Sequence, residues 1–249
     1  MNIQESPKTG LTMSDGYTYL HEGDFYRAFL HFKHFADLHP ATKDTLPGTH
    51  MAGISLRCFG EFEKSVGYLR AAAKQVEDSH DRRLKGVVYR DLGISLLAYA
   101  LKKRDQATLD EAEVFLSSSK EVLVTARQSF VDGEAQFNVF DFESCLTESY
   151  IGLLNFETGD KDYGRDTVDF AHTRIEYLMS QFGSYEYELH EVNTMLLFLR
   201  VSSLWERLMH LDRAFELTDK SSQFQRLRRH VWAALFGNQV YKLLTRRVI

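Results

Sequence analysis

Few side chains in this sequence stand at spacings that could do chemistry, and each set fails on a specific residue. Gly53-x-Ser55 and Gly93-x-Ser95 place a hydroxyl as a nucleophile elbow does. They lack its second glycine, however, and lie inside helical patterns rather than at a strand-to-helix turn. His190-Glu191 opens like a zinc-protease helix, but the second histidine is replaced by Thr194. Asp160-Lys161-Asp162 begins like a calcium loop, yet its sixth position is Arg165 and its twelfth Ala171, where a glycine and a bidentate glutamate are needed. His31 and His34 share a helical face, with His39 nearby, and no cysteine or carboxylate completes a four-ligand set. No glycine-rich phosphate loop followed by lysine is present. The expectation is therefore no catalytic residue, no metal and no cofactor: a protein that is not an enzyme.

The elements that carry these residues are helices. Proline, normally about 5% of a chain, occurs only at Pro7, Pro40 and Pro47. Leucine outnumbers isoleucine and valine together, which favours helix over strand. Apolar residues make up 44% and charged residues 26%, so the chain can fill a core and is not broadly disordered. A net charge of −5 excludes a polyanion binder working by bulk charge. Two distant cysteines, Cys58 and Cys145, point to a reducing compartment. The first residues show no basic region before an apolar run, and Thr194 to Trp205 is interrupted by Arg200, Ser202 and Ser203. A cytoplasmic location is the resulting expectation.

An internal repeat organises the chain. Gly53-Ile54-Ser55-Leu56 recurs as Gly93-Ile94-Ser95-Leu96, with Gly152-Leu153-Leu154 after it and Gly16-Tyr17 before it. Each reads as the first helix of a pair, followed by a short turn such as Gly23-Asp24-Phe25, Gly60-Glu61-Phe62 or Gly159-Asp160. Gly23 to Pro40, with Ala28 after the turn and aromatics beyond it, resembles the tetratricopeptide repeat (TPR). Ser65 and Gly164 stand where the family has a turn-proximal alanine. The third unit opens on Tyr89-Arg90-Asp91-Leu92-Gly93, has a turn about seven residues too long, and starts its second helix at Thr108-Leu109-Asp110-Glu111-Ala112 with a Thr108–Glu111 capping box. The resemblance, over four divergent repeats, implies an all-α, right-handed α-α superhelix of the TPR-like kind.

In such stacks the first helix of each pair lines the inner face, which implies a groove. The residue after each repeated glycine would point into it: Tyr17, Ile54, Ile94 and Leu153, joined one turn later by Leu20, Arg57, Leu97 and Phe156, with His50, Arg90 and Tyr150 nearby. This set is mostly apolar. Two readings follow: a groove that holds an apolar or amphipathic segment, or ordinary core in a tightly wound stack.

The remaining chain divides into a flexible terminus over 1–11, repeats over 12–181, and a helical extension over 185–249. Residues 128–143 read as an acidic, aromatic insert, either a loop or a short extra helix. Leu189, Val192, Leu196 and Leu199 mark another helix, with Gly183 and Ser184 able to separate it from the one before. Residues 220–249 hold seven basic side chains and no acidic one, among them Arg226, Arg228, Arg229, Lys242, Arg246 and Arg247. Phe224, Leu227, Val231 and Leu235 give that segment an apolar face, as in an amphipathic capping helix. The functional expectation is a non-catalytic protein- or peptide-binding scaffold or adaptor whose partner is another polypeptide, with self-association as a variant. The alternative is a nucleic-acid- or anionic-membrane-binding protein acting through 220–249.

Overall fold

A computed structural model describes residues 12–39, 45–131, 134–182 and 188–203, together with 206, 209, 210 and 214. Among the described residues there are nine helices and no strand: α1 (Met13–Glu22), α2 (Phe25–Leu38), α3 (Thr45–Phe59), α4 (Phe62–Gln75), α5 (Arg82–Lys103), α6 (Gln106–Arg127), α7 (Ala135–Thr158), α8 (Lys161–Phe182) and α9 (Glu188–Val201). They fall into two compact units, Met1–Ala72 and Ala73–Ile249. Pro47 lies in the first turn of α3, where a missing N–H leaves no intrahelical bond unmade.

Four helix pairs are joined by one and the same two-residue turn. Asp24, Glu61, Asp105 and Asp160 each donate a backbone N–H to a carbonyl five residues back, on Tyr19, Leu56, Ala100 and Asn155. That bond closes a Schellman-type helix end, and it needs a left-handed residue just before the donor. Gly23, Gly60 and Gly159 fill that place with φ of 72°, 92° and 122°, and Arg104 fills it in the third pair at φ 58°. Asp24 then caps α2 by accepting from the Arg27 amide at 3.2 Å.

The third turn is therefore not long, contrary to the sequence expectation. The seven additional residues extend α5 by four and α6 by three, about one helical turn each, so both inner faces stay in step. Nor is Thr108 a capping residue. The helix begins at Gln106, and the Thr108 hydroxyl instead donates to the Asp105 carboxylate at 2.6 Å. The expected 128–143 insert is corrected as well: its residues from Ala135 onward are the first turns of α7.

Within each pair the repeated glycine faces a large side chain of the second helix. A Cβ on Gly16 would come within 2.5 Å of Phe32, on Gly53 within 2.6 Å of Leu69, on Gly93 within 2.7 Å of Leu116, and on Gly152 within 2.8 Å of Val168. Absence of that Cβ lets the second helix seat an apolar side chain against the first helix backbone. Phe32 and Ala28 are fully buried with Ala52 in the first unit; Phe142, Cys145, Leu146, Ile175 and Leu178 form a core in the second.

Candidate partner-binding face

Because each repeated glycine points at its own second helix, the next residue is turned about 100° away from that contact. In the first unit this leaves two positions accessible. Tyr17 is 38% exposed, with its ring edge-on to Phe32 at 5.4 Å, and partial burial pushes its hydroxyl pKa up. Ile54 is half-buried, as is Arg57 one turn on. Leu20 packs partly against the Ala28–Phe32–Ala52 core, and His50 is buried.

In the second unit the corresponding residues lie inside. Ile94, Leu97 and Leu153 are 7%, 2% and 4% exposed. Phe156 is half-buried, and Tyr150 packs partly on the Phe142 core. Arg90 is buried and held by Glu143, with Asp91 at 3.8 Å. Burial disfavours its charge, but Glu143 and Asp91 together outweigh this and hold the guanidinium pKa above its ordinary value. Tyr17, Ile54 and Arg57 are accessible or half-buried residues of the first unit, whereas Arg90, Ile94, Leu97 and Leu153 of the second are buried. The basic residues Arg226, Arg228, Arg229, Lys242, Arg246 and Arg247 lie outside the described residues.

Sequence reasoning missed a polar layer on α7. Asp141 and Glu143 are 1% and 3% exposed, each gripped by two arginines from neighbouring helices. Arg174 of α8 reaches Asp141 Oδ2 through Nε at 2.9 Å and Nη2 at 2.6 Å, while Arg127 of α6 binds the other oxygen. Glu143 takes Arg90 and, at 3.2 Å, Arg83 of α5. The only signal was Asp141-x-Glu143 set among Phe137, Val139, Phe140, Phe142 and Leu146. A carboxylate saturated by two guanidiniums is a poor general base, so this layer braces helices rather than reacting. No group of three or more His, Cys, Asp or Glu able to hold a metal occurs among the described residues.

Four identical turns, four glycines facing a second-helix side chain, and helices throughout the described residues decide the architecture. The fold is a TPR-like helical repeat. No family model matches the chain, and no curated protein matches it by sequence. It is similar to a crystal structure of nearly identical TPR-like repeats from a Podosopora anserina chain named as a kinesin light chain. The identity is 10% and the TM-score 0.43, over 89% of this chain and 92% of that one. A single-substitution form of the same protein gives 11% identity and a TM-score of 0.44 over 91% and 94%. None of the described helices is long and apolar enough to cross a membrane.

Proposed function

We propose that this protein is a non-catalytic scaffold that binds another polypeptide through the first-helix face of its N-terminal unit. The reading is carried by the difference between equivalent positions: Tyr17 and Ile54 are accessible where Ile94 and Leu153 are buried. Recognition would consist of seating an apolar helical or extended segment against Tyr17 and Ile54, with Arg57 orienting a carboxylate of the partner by a charge-assisted bond. The equivalent positions of the second unit, buried and braced by the α7 arginine clamps, serve its own packing instead. A cytoplasmic setting accords with Cys58 and Cys145 standing as thiols rather than joined in a disulfide.

The test is affinity capture from the native host with three forms: wild type, Ile54→Arg and Arg57→Glu. Both variants are expected to keep the wild-type helical signal and melting temperature within a few degrees while losing the same captured polypeptides. Retention of every polypeptide by both folded variants overturns the reading.

A further inference from the structure

Helix α8 buries Gly164, Val168, Ala171, His172, Ile175 and Leu178 on one side and turns three aromatics to solvent on the other. Tyr163, Phe170 and Tyr177 are 57%, 64% and 52% exposed. They recur every seven residues, so they form one row along the helix with a drift of about 20° per step. A single exposed ring needs no explanation, but three on one face of one helix do. Tyr177 shows what such a ring can hold. The Arg174 guanidinium lies over it, 5.2 Å from the ring centroid, while Nε and Nη2 of the same side chain donate to Asp141 at 2.9 and 2.6 Å. One arginine thus takes an aromatic face and a carboxylate together.

The same two groups recur at the start of α8 without an arginine. Asp166 stands three residues after Tyr163 and four before Phe170, which makes it the helical neighbour of both. Asp162 stands four residues before Asp166 and Asp169 three after it, and all three carboxylates are exposed. None of the three makes a side-chain hydrogen bond or ion pair among the described residues. Like charges at these spacings work against the helix. The basic residues of the same turns, Lys161 and Arg165, lie about 160° round the helix from Tyr163 in either sense, and Arg165 Nε donates to the Val201 carbonyl at 3.3 Å.

We propose that Tyr163, Phe170 and these three aspartates form the docking surface for an extended, arginine-bearing segment of a partner polypeptide. Charge complementarity selects that occupant. An apolar segment would strip water from the carboxylates and give them no partner. A second copy docked through α8 would set the same carboxylates against one another, and nucleic acid or an anionic membrane would be repelled. Arginine suits the face better than lysine, because its flat guanidinium stacks on a ring while its N–H groups reach a carboxylate, as Arg174 does. Tyr163 and Phe170 are about 10.5 Å apart along the helix axis. A polyproline-II segment sets every third side chain on one face, about 9 Å apart, so arginines at that interval meet both rings. This surface lies on the second unit, whereas Tyr17, Ile54 and Arg57 belong to the first.

The probe is a rhodamine-labelled peptide of three Arg-Pro-Pro units, titrated with the full chain at physiological ionic strength and followed by fluorescence anisotropy. The expected result is saturable binding. It should weaken at least fivefold in Asp162→Asn/Asp166→Asn/Asp169→Asn, at least fivefold in Tyr163→Ser/Phe170→Ser, and at least threefold when lysine replaces arginine in the peptide. Every substituted position is exposed, and circular dichroism checks that both variants keep the wild-type helix content. Asp110→Asn/Glu113→Gln/Glu121→Gln removes the same charge from exposed positions of α6 and should leave the affinity within twofold. Absence of saturable binding, as when a second copy or another part of this chain covers the face, overturns the proposal. So does a loss as large in the α6 variant as in the aspartate variant of α8, which would mean attraction by bulk charge. Affinity unmoved by removal of both rings overturns it as well.

Discussion

A methyl group on Gly152 would lie 2.8 Å from the carbonyl oxygen of Gly164, and one on Gly164 would lie 2.6 Å from the carbonyl oxygen of Gly152. Carbon and oxygen prefer about 3.3–3.6 Å, and here the obstacle is backbone, which cannot swing aside as a side chain can. At these two glycines α7 and α8 therefore meet backbone against backbone. Gly152→Ala is expected to cost roughly 3 kcal/mol, the upper end of ordinary overpacking. Gly67→Ala, on an exposed face of α4 with nothing within 4 Å of the new methyl, should instead add about 0.5–1 kcal/mol. Urea midpoints of the two variants check this. Equal midpoints would mean that the α7–α8 spacing is wider than described.

The four turns make a second comparison. Arg104 holds the left-handed conformation that its three counterparts assign to glycine. An L-residue there is strained by roughly 1–2 kcal/mol, though glycine also raises the entropy of the unfolded chain. Arg104→Gly should thus gain a few tenths to about 1 kcal/mol, and Gly60→Ala should lose about 1 kcal/mol. Thermal melts of the pair measure both signs. A loss of stability in Arg104→Gly would show that its side chain contributes more than its backbone costs.

The repeat was legible because close helix approach demands glycine, and glycine is visible in sequence. Gly16, Gly53, Gly93 and Gly152 all do what their spacing implied. What the spacing could not separate was a long turn from a longer hairpin: seven residues are nearly two helical turns, so faces stay aligned either way, and only the backbone bond from Asp105 to Ala100 distinguishes them. Nor could the glycine offset tell an accessible neighbour from a buried one. Ile54 and Ile94 stand in the same tetrapeptide, yet the first is half-buried and the second buried. Asp141 and Glu143 were read as part of an acidic, aromatic insert, because a carboxylate signals surface unless its arginines are known to converge on it.

That convergence gives a third prediction. Removing Glu143 leaves Arg90 charged and buried, with Asp91 a more distant counter-charge at 3.8 Å, and breaking a buried pair from one side costs about 3–5 kcal/mol. Glu143→Leu alone should destabilise the second unit by that order. Arg90→Met/Glu143→Leu, which removes both charges and keeps volume, should recover most of the loss. A double-mutant cycle in urea isolates the coupling, and additive losses in the two single variants would deny it.

The last prediction concerns Cys145, whose thiol lies against Phe142, Ile175 and Leu178. Burial raises its pKa well above the ordinary 9.0, helped by Asp141 and Glu148 and opposed by Arg174 and Arg127. In native protein Cys145 should therefore resist a thiol reagent at pH 8 while the exposed Cys58 reacts, and both should react in urea. The same shift sets a pH dependence. Below pH 9 the thiol is protonated in both states and its contribution is constant. Above it the unfolded chain gives up the proton and the folded chain keeps it, so folding loses up to about 1.4 kcal/mol per pH unit. Unfolding free energies at pH 8, 9 and 10 should fall more steeply for wild type than for Cys145→Ala, which cannot titrate. The truncation itself lowers stability by a cavity cost that does not vary with pH, so it is the difference in slope that reports the thiol. Parallel slopes, or labelling of native Cys145 as fast as Cys58, would place that side chain in contact with water and remove it from the core of α7 and α8.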